Sequence, residues 1–207
     1  MIKKFLSVIA IVTAVTFLPS AKFHTEAYNV DLNTASVHWL GKKITGQHDG
    51  FVKLKSGVLV MNHGTPEAGK FELDMTTLTC ADIKDEKKNK DLVDHLKNDD
   101  FFSVEKHPVA TLTITRIVPI VASKVGESNF ELFANLAIKG INKPVQFPAR
   151  FDIFQEEVKA NAKITIDRTK WDISYKSGTV FPSLADKAIA DNIEFEISIT
   201  ARNSHQH

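Results

Sequence analysis

The side chains in this sequence best equipped for chemistry are five histidines in the body of the chain (His38, His48, His63, His95 and His107), the single cysteine Cys80, and Arg168 close to Trp171. A histidine metal site needs three or four ligands, each held by a further hydrogen-bond partner. No HxH or HExxH occurs in the body of the chain, and the H-x-H of His205 and His207 sits on a polar terminus, so no metal is expected. His38 and His48 flank an expected first turn, where two strands bring them towards each other. G-x-S-x-G is absent, no Cys–His pair stands out, and no Gly-rich phosphate cradle is present. Carboxylates fall mainly on the polar positions of alternating segments, away from any apolar interior where paired acid–base work would be done. Cys80 reads as a buried, inert thiol. Arg168 has two uses open to it: its planar fork of donors suits a phosphate or quinone carbonyl, or it pairs with Asp167 or Asp172 and ties down the segment that follows. These residues form no catalytic constellation, and no enzymatic activity is expected.

The elements that must position them start after residue 27. Lys3 and Lys4 precede an uncharged run from Phe5 to Leu18, then Pro19, Ser20 and Ala21. A basic start, a short apolar stretch and small residues form the layout of a secretory signal peptide. The run is shorter than the roughly 20 residues a membrane-spanning helix needs. Residues 1–27 are therefore assigned to a leader, with cleavage after Ala21 or Ala27, and the product is expected to be periplasmic or secreted. Removing Lys3, Lys4, Lys22 and Glu26 takes the net charge from +1 to −1. That near-neutral balance gives no basic footprint for nucleic acid.

Residues 28–202 alternate between apolar and polar, the period of half-buried strands. The rhythm is clearest in Val158 to Ile166 and in Ile193 to Ala201, and it recurs in Phe71 to Met75, Val52 to Leu54, Ala110 to Ile114, Phe130 to Ile138 and Val145 to Ile153. With Val37 to Trp39 these make eight candidate strands. Two stretches break the pattern. Residues 82–98 place Leu92, Val93 and Leu96 at helical spacing behind a charge run, and 168–190 is polar and irregular, with one or two helical turns expected over Ser183 to Ala190. Residues 203–207 are a polar tail. Long antiparallel strands leave two sheet edges to hide, and closure into a barrel removes them. The expected fold is all-β: an eight-stranded antiparallel barrel, apolar within, with one or two short helices.

Several short motifs point further. They are Tyr28-x-x-Asp31, Ser36-Val-His-Trp39, Gly46-x-His48-x-Gly50, His95 to Phe102 with Glu105-Lys-His107-Pro108, Leu136-x-Ile138-Lys-Gly140-Ile-Asn-Lys-Pro144, and Ile166-Asp-Arg168. In this order and spacing the chain resembles the YceI-like family of exported lipid-binding proteins over nearly all of residues 28–202. One departure is visible: the family's Arg-Asp pair before the His-Leu is replaced by Lys90-Asp-Leu-Val-Asp-His95. The resemblance implies a lipocalin-like barrel that sequesters or transports a long hydrophobic ligand, such as a polyisoprenoid, an isoprenoid quinone or a fatty lipid, with no other cofactor.

On that reading the ligand lies among the apolar faces: Trp39, Val52, Leu54, Phe71, Leu73, Leu112, Ile114, Leu132, Ala134, Phe147, Phe151, Ile164, Ile166, Phe195 and Ile197. His48, Arg168 and Trp171 are the candidates for a head group. The 14 phenylalanines against two tyrosines favour a dry interior. Two other readings stay open at this point: an enzyme acting on a lipid through histidines at the barrel mouth, and a solid-core structural or interaction protein. The expected partner is a small hydrophobic lipid, with transient membrane contact and a homodimer both allowed.

Overall fold

The structure, a computed structural model, describes residues 25–203. The leader up to residue 24 and the tail from residue 204 lie outside them. The described residues form ten strands, most of them alternating in burial: β1 (Thr25–Val30), β2 (Ser36–Lys43), β3 (Gly46–Phe51), β4 (Lys53–Asn62), β5 (Thr65–Asp74), β6 (Val109–Pro119), β7 (Phe130–Ile138), β8 (Ile141–Ile153), β9 (Glu157–Asp167) and β10 (Ile189–Asn203). All neighbours are antiparallel, in the order β1-β4-β5-β6-β7-β8-β9-β10-β2-β3, and β1 also pairs with β10.

Ten strands make eight staves because two staves are broken. The 15-residue β10 faces β2 along its first part, from Ile189↔Lys43 to Ser198↔Ser36, and β1 at its end, from Ala201↔Val30 to Asn203↔Tyr28. β1 and β2 are thus one stave interrupted by a turn at residues 31–35. β3 and β4, which pair with β2 and β1 in turn, are a second stave interrupted at Val52. The result is a closed eight-stave meander, and each of the eight alternating segments in the sequence lies on a different stave.

The two ends of the barrel differ. At one end β4–β5 and β8–β9 are joined by short connections and β6–β7 by a longer loop over residues 120–129, and the described chain begins and ends there. The other end carries everything that broke the alternation. Between β5 and β6 lies helix α1 (Glu86–Lys97), capped by the Asp85 carboxylate on the Lys88 N–H. The Leu96 side chain is buried, while Leu92 and Val93 are half-buried against the core. Between β9 and β10 the chain makes two 3-10 segments, Arg168–Trp171 and Pro182–Lys187. Helical turns are thus confined to Pro182–Lys187 rather than reaching Ala190, because Ile189 and Ala190 already belong to β10.

The segment entering α1 is laid along β3 as a partial extra strand. Thr79 N–H donates to the Phe51 carbonyl at 2.9 Å and Ala81 N–H to the Asp49 carbonyl at 2.8 Å. The Thr79 carbonyl accepts the Trp39 indole N–H at 3.0 Å. This approach is possible only because residue 50 is glycine: a Cβ there would stand 1.9 Å from the Thr79 oxygen. Gly50→Ala is therefore expected to lower unfolding free energy in urea by about 1–3 kcal/mol, the cost of overpacking. Lys55→Ala on the exposed face of β4 is the matched control and should stay within about 0.5 kcal/mol of the parent.

Candidate functional site

The inner face of the barrel is filled at one end and hollow at the other. A cavity of about 160 Å³ opens beneath α1 and the 3-10 segments. Its walls are built stave by stave from alternate residues: Val37, Trp39 and Gly41 on β2, Leu73 on β5, Ala110 and Leu112 on β6, Leu136 and Ile138 on β7, Ile164 on β9, and Ile189, Ile193, Phe195 and Ile197 on β10. Val52, at the break between β3 and β4, adds to them. Its roof comes from Met75, Leu78, Leu92, Leu96, Phe101 and Phe102. Leu73, Phe195 and Ile197 point inwards yet are only half-buried, because what they face is space. The mouth is edged by Lys42, Lys43 and His48 of the β2–β3 hairpin and by Ala190.

Of the expected lining, Trp39, Val52, Leu73, Leu112, Ile164, Phe195 and Ile197 border this cavity. Leu54, Phe71, Ile114, Leu132, Ala134, Phe147, Phe151 and Ile166 do not. All but the half-buried Leu54 are at most 8% exposed and belong to the packed core. Alternation identifies which face turns inward, but it carries no information on the height at which the interior stops being filled. The roof was missed for a different reason, since it comes from outside the strands. The signal for it was present: the Phe101-Phe102 pair follows a charged helix directly, an apolar step with no use on a solvated face.

The polar groups around the cavity are committed to fastening its lid. Arg168 is 1% exposed. Its Nε and Nη2 donate to the carbonyls of Ala190 and Ile189, both at 3.1 Å, and Nη1 donates to that of Ile173 at 2.7 Å. Its ion-pair partner is Asp191, with Nη2 3.4 Å from Oδ1, and not Asp167 or Asp172. Asp167 instead caps the 3-10 turn through Thr169. Arg168 touches the cavity, but most of its donors are already used. Burial pulls its pKa below the usual guanidinium range against the opposing charges of Asp191 and Asp167, and it remains a cation. Burial alone would raise the Asp191 carboxyl. Hydrogen bonds from Thr179 and Ser177, with the Arg168 charge, outweigh it and hold the group below the ordinary carboxylate range.

Trp171 does not border the cavity. It is 1% exposed and its indole N–H donates to the Leu136 carbonyl at 3.1 Å. Lys139, at the tight β7–β8 turn with Gly140, donates to the Asp172 carbonyl at 2.8 Å. Three of the histidines, His38, His48 and His95, are likewise partnered. His48 Nδ1 lies 2.9 Å from Asp82 Oδ2, which ties the lid segment to β3. His38 is 2.8 Å from Asp49 on the outer face, and does not converge with His48, which pairs three rungs away with Gly41. His95 is 3.1 Å from Asp100 and packs edge-on against Phe101 and Tyr175, at 5.0 and 4.6 Å between ring centres. Cys80 is buried beside Asp82, and burial pushes its thiol pKa up.

Removing Arg168 takes the charge partner from the half-buried Asp191 carboxylate and the donors from three carbonyls. Arg168→Met is expected to cost about 3–5 kcal/mol in urea unfolding and to speed amide exchange over residues 172–190. A depressed folded pKa gives stability that is complete above the ordinary aspartate value near 4 and is lost as the pH falls through the folded value. The contribution of Asp191 thus disappears on the acid side. Without Arg168 its folded carboxyl titrates closer to the unfolded value, so the stability lost on acidification should be smaller in the variant than in the parent.

Comparison with known proteins gives this architecture its place. A UPF0312 protein of Azotobacter vinelandii is 33% identical over 86 residues, which is 42% of this chain and 40% of that protein's length. A UPF0312 protein of Pectobacterium carotovorum is 28% identical over 67% of this chain and 68% of its own. Among solved structures, Burkholderia cenocepacia BcnA superposes with a TM-score of 0.61 at 17% identity, covering 83% of this chain and 98% of BcnA. A polyisoprenoid binding domain from Saccharophagus degradans superposes with a TM-score of 0.60 at 13% identity, covering 86% and 99%. At these identities the two superpositions establish a shared fold. Residues 28–201 match the profile of the YceI-like domain over the whole barrel, and the chain therefore belongs to the YceI-like domain family.

Proposed function

We propose that this protein is an exported carrier that shelters the tail of a hydrophobic lipid, of the polyisoprenoid, isoprenoid quinone or fatty class, in the hollow end of its barrel. The observation that carries the reading is the apolar cavity whose walls include the half-exposed, inward-pointing Leu73, Phe195 and Ile197. Each CH₂ moved from water into such a space gains about 0.8 kcal/mol, and aliphatic walls impose little geometric demand on a flexible chain. The binding of polyisoprenoid by the Saccharophagus domain, which has the same fold, supports the class of guest.

Of the head-group candidates, His48 and the neighbouring Lys42 and Lys43 stand at the mouth, while Arg168 and Trp171 are occupied by backbone carbonyls. The head group therefore stays outside, against the β2–β3 hairpin. Ile44 at the tip of that hairpin is 71% exposed, and Val180 and Phe181 are exposed on the loop that joins β10 beside it. These side chains give the mouth an oily rim suited to brief contact with a bilayer during loading. A lipid-modifying enzyme is the weaker reading, since His48 is engaged by Asp82, and the Cys80 thiol on the same carboxylate is buried with its pKa pushed up. For export, cleavage after Ala21 is favoured over Ala27. The later cut would remove Thr25, Glu26 and Ala27 and with them three rungs of the β1–β4 ladder. The mass of the mature protein recovered from its own host should correspond to a chain that begins at Lys22.

Native mass spectrometry of gently extracted protein tests the carrier directly: a bound apolar species is expected, and delipidated protein should take up a prenyl alcohol. Phe195→Asp places a carboxylate against the guest without touching the filled end. It should abolish displacement of an apolar fluorescent probe while leaving the far-UV circular dichroism of the barrel intact. Protein that is always ligand-free and takes up no prenyl chain would overturn the proposal.

A further inference from the structure

The cavity ends at one level. On β5 Leu73 borders it, and Phe71, the next residue inward, does not. The same step occurs between Leu112 and Ile114 on β6, between Leu136 and Ala134 on β7, and between Ile197 and Ile199 on β10. Phe71 faces Leu112 in the ladder, so the step on β6 follows that on β5 by one inward-facing pair. Beyond them Leu59, Met61, Leu132, Phe147 and Phe151 are all at most 4% exposed, and the interior is solid.

Phe71 is set in place by two glycines within strands, positions where glycine costs stability unless something must come close. A Cβ on Gly57 would lie 2.7 Å from the Val30 side chain and 3.0 Å from one edge of the Phe71 ring, and a Cβ on Gly69 2.9 Å from the other edge. Gly57 pairs directly with Phe71 across β4–β5, and Gly69 lies two residues along β5 and pairs with Ile114. The ring is thus seated against bare backbone on two sides, at the level where the hollow stops.

We infer that Phe71, seated on Gly57 and Gly69 and flanked by Ile114, is a floor that sets how much of an apolar chain this protein takes in. The inference rests on the carrier reading above and adds a length limit to it. The lining spans Val37 to Lys43 on β2 and Ile197 to Ile189 on β10. At about 3.3 Å per residue and a strand tilt near 40°, that is a depth of roughly 15–20 Å. Spread over that depth, 160 Å³ is a slot one chain wide. An extended chain of 1.5 Å bonds advances roughly 1.3 Å per bond, so the slot accepts about three to four isoprene units. Anything longer leaves its remainder outside the mouth.

The test is the chain-length dependence of binding to delipidated protein, read by displacement of an apolar fluorophore with prenyl alcohols of two to six isoprene units. For the parent, affinity should rise with each unit to a plateau at about the third or fourth, with less than about a twofold change beyond, since further CH₂ groups stay in water. Phe71→Ala opens the floor towards the filled half and should move the plateau one unit longer, with a gain of about a hundredfold or more for that unit, since its five carbons leave water. Ile197→Phe adds bulk just above the floor, at a half-buried position that tolerates it, and should move the plateau one unit shorter. It keeps the inference open to refutation should Phe71→Ala fail to fold. A parent affinity that keeps rising to six units, or a plateau left in place by the folded variants, would overturn the floor alone. Failure of every length to bind would overturn the carrier reading and the floor with it.

Discussion

The structure depends on closure of the sheet, and closure depends on β10 serving two partners on one edge. Its first part is bonded to β2 and its last residues to β1, while its other edge holds an unbroken ladder with β9 from Asn192↔Asp167 to Arg202↔Glu157. No long sheet edge is left to recruit another chain, the hazard that open antiparallel sheets carry. Closure also fixes the girth. Eight staves enclose a space that side chains can just fill or that can hold one slender guest. Whether the interior is core or container is then decided by side-chain size at each height. Large residues from Leu59 to Phe151 fill one end, and the other is left open.

Keeping one end open requires a roof that does not collapse into it. The roof is held from its rim by polar contacts: the Trp39 indole on the Thr79 carbonyl, His48 on Asp82, Lys97 on the Thr76 carbonyl and Lys139 on that of Asp172. Arg168 does the same for the loop between β9 and β10 by bonding three of its carbonyls. These bonds are directional, whereas the apolar contacts of Leu92, Leu96, Phe101 and Phe102 are not. A lid tied only by the latter would slide inwards until the space closed. Buried and half-buried polar groups here set a height as much as they add stability.

The sequence made the staves legible and left the cavity largely hidden. Val158 to Ile166 and Ile193 to Ala201 alternate so regularly that strand, inner face and closure all follow from periodicity. The first two staves were read only in part. Thr25–Val30 and Gly46–Phe51 carry glycine and polar residues, and they are strands because of their neighbours and not their own pattern. Of the expected lining, Phe71, Ile114, Leu132, Ala134, Phe147 and Phe151 belong to the filled end, since Phe71 and Leu73 look equivalent in sequence and differ only in what stands across the barrel. Arg168 was identified as special, but its partner is 23 residues away at Asp191, a distance no local pattern spans. The motif residues Gly50 and Gly140 were visible as positions, and their reason was not. Gly50 is bare for the Thr79 oxygen, whereas Gly140, with φ at 73°, follows Lys139 in a two-residue turn that needs the left-handed region at both positions.

An unfilled apolar hollow is itself an energetic statement. At about 24 cal/mol per Å³, 160 Å³ of empty space withholds on the order of 4 kcal/mol of packing that a filled core would have gained. That is a substantial part of the net stability of a domain, commonly about 5–15 kcal/mol. A sequence that already places Phe and Leu at the filled end had ready means to close the other, since Ala110 and Gly41 on the wall leave room for larger side chains. The deficit is confined to the end that carries the lid, the mouth and the lysines, where a guest can recover it. On the proposed carrier reading, stability and occupancy are linked in one direction: a guest that fills the slot restores the missing contacts and stabilises the folded barrel.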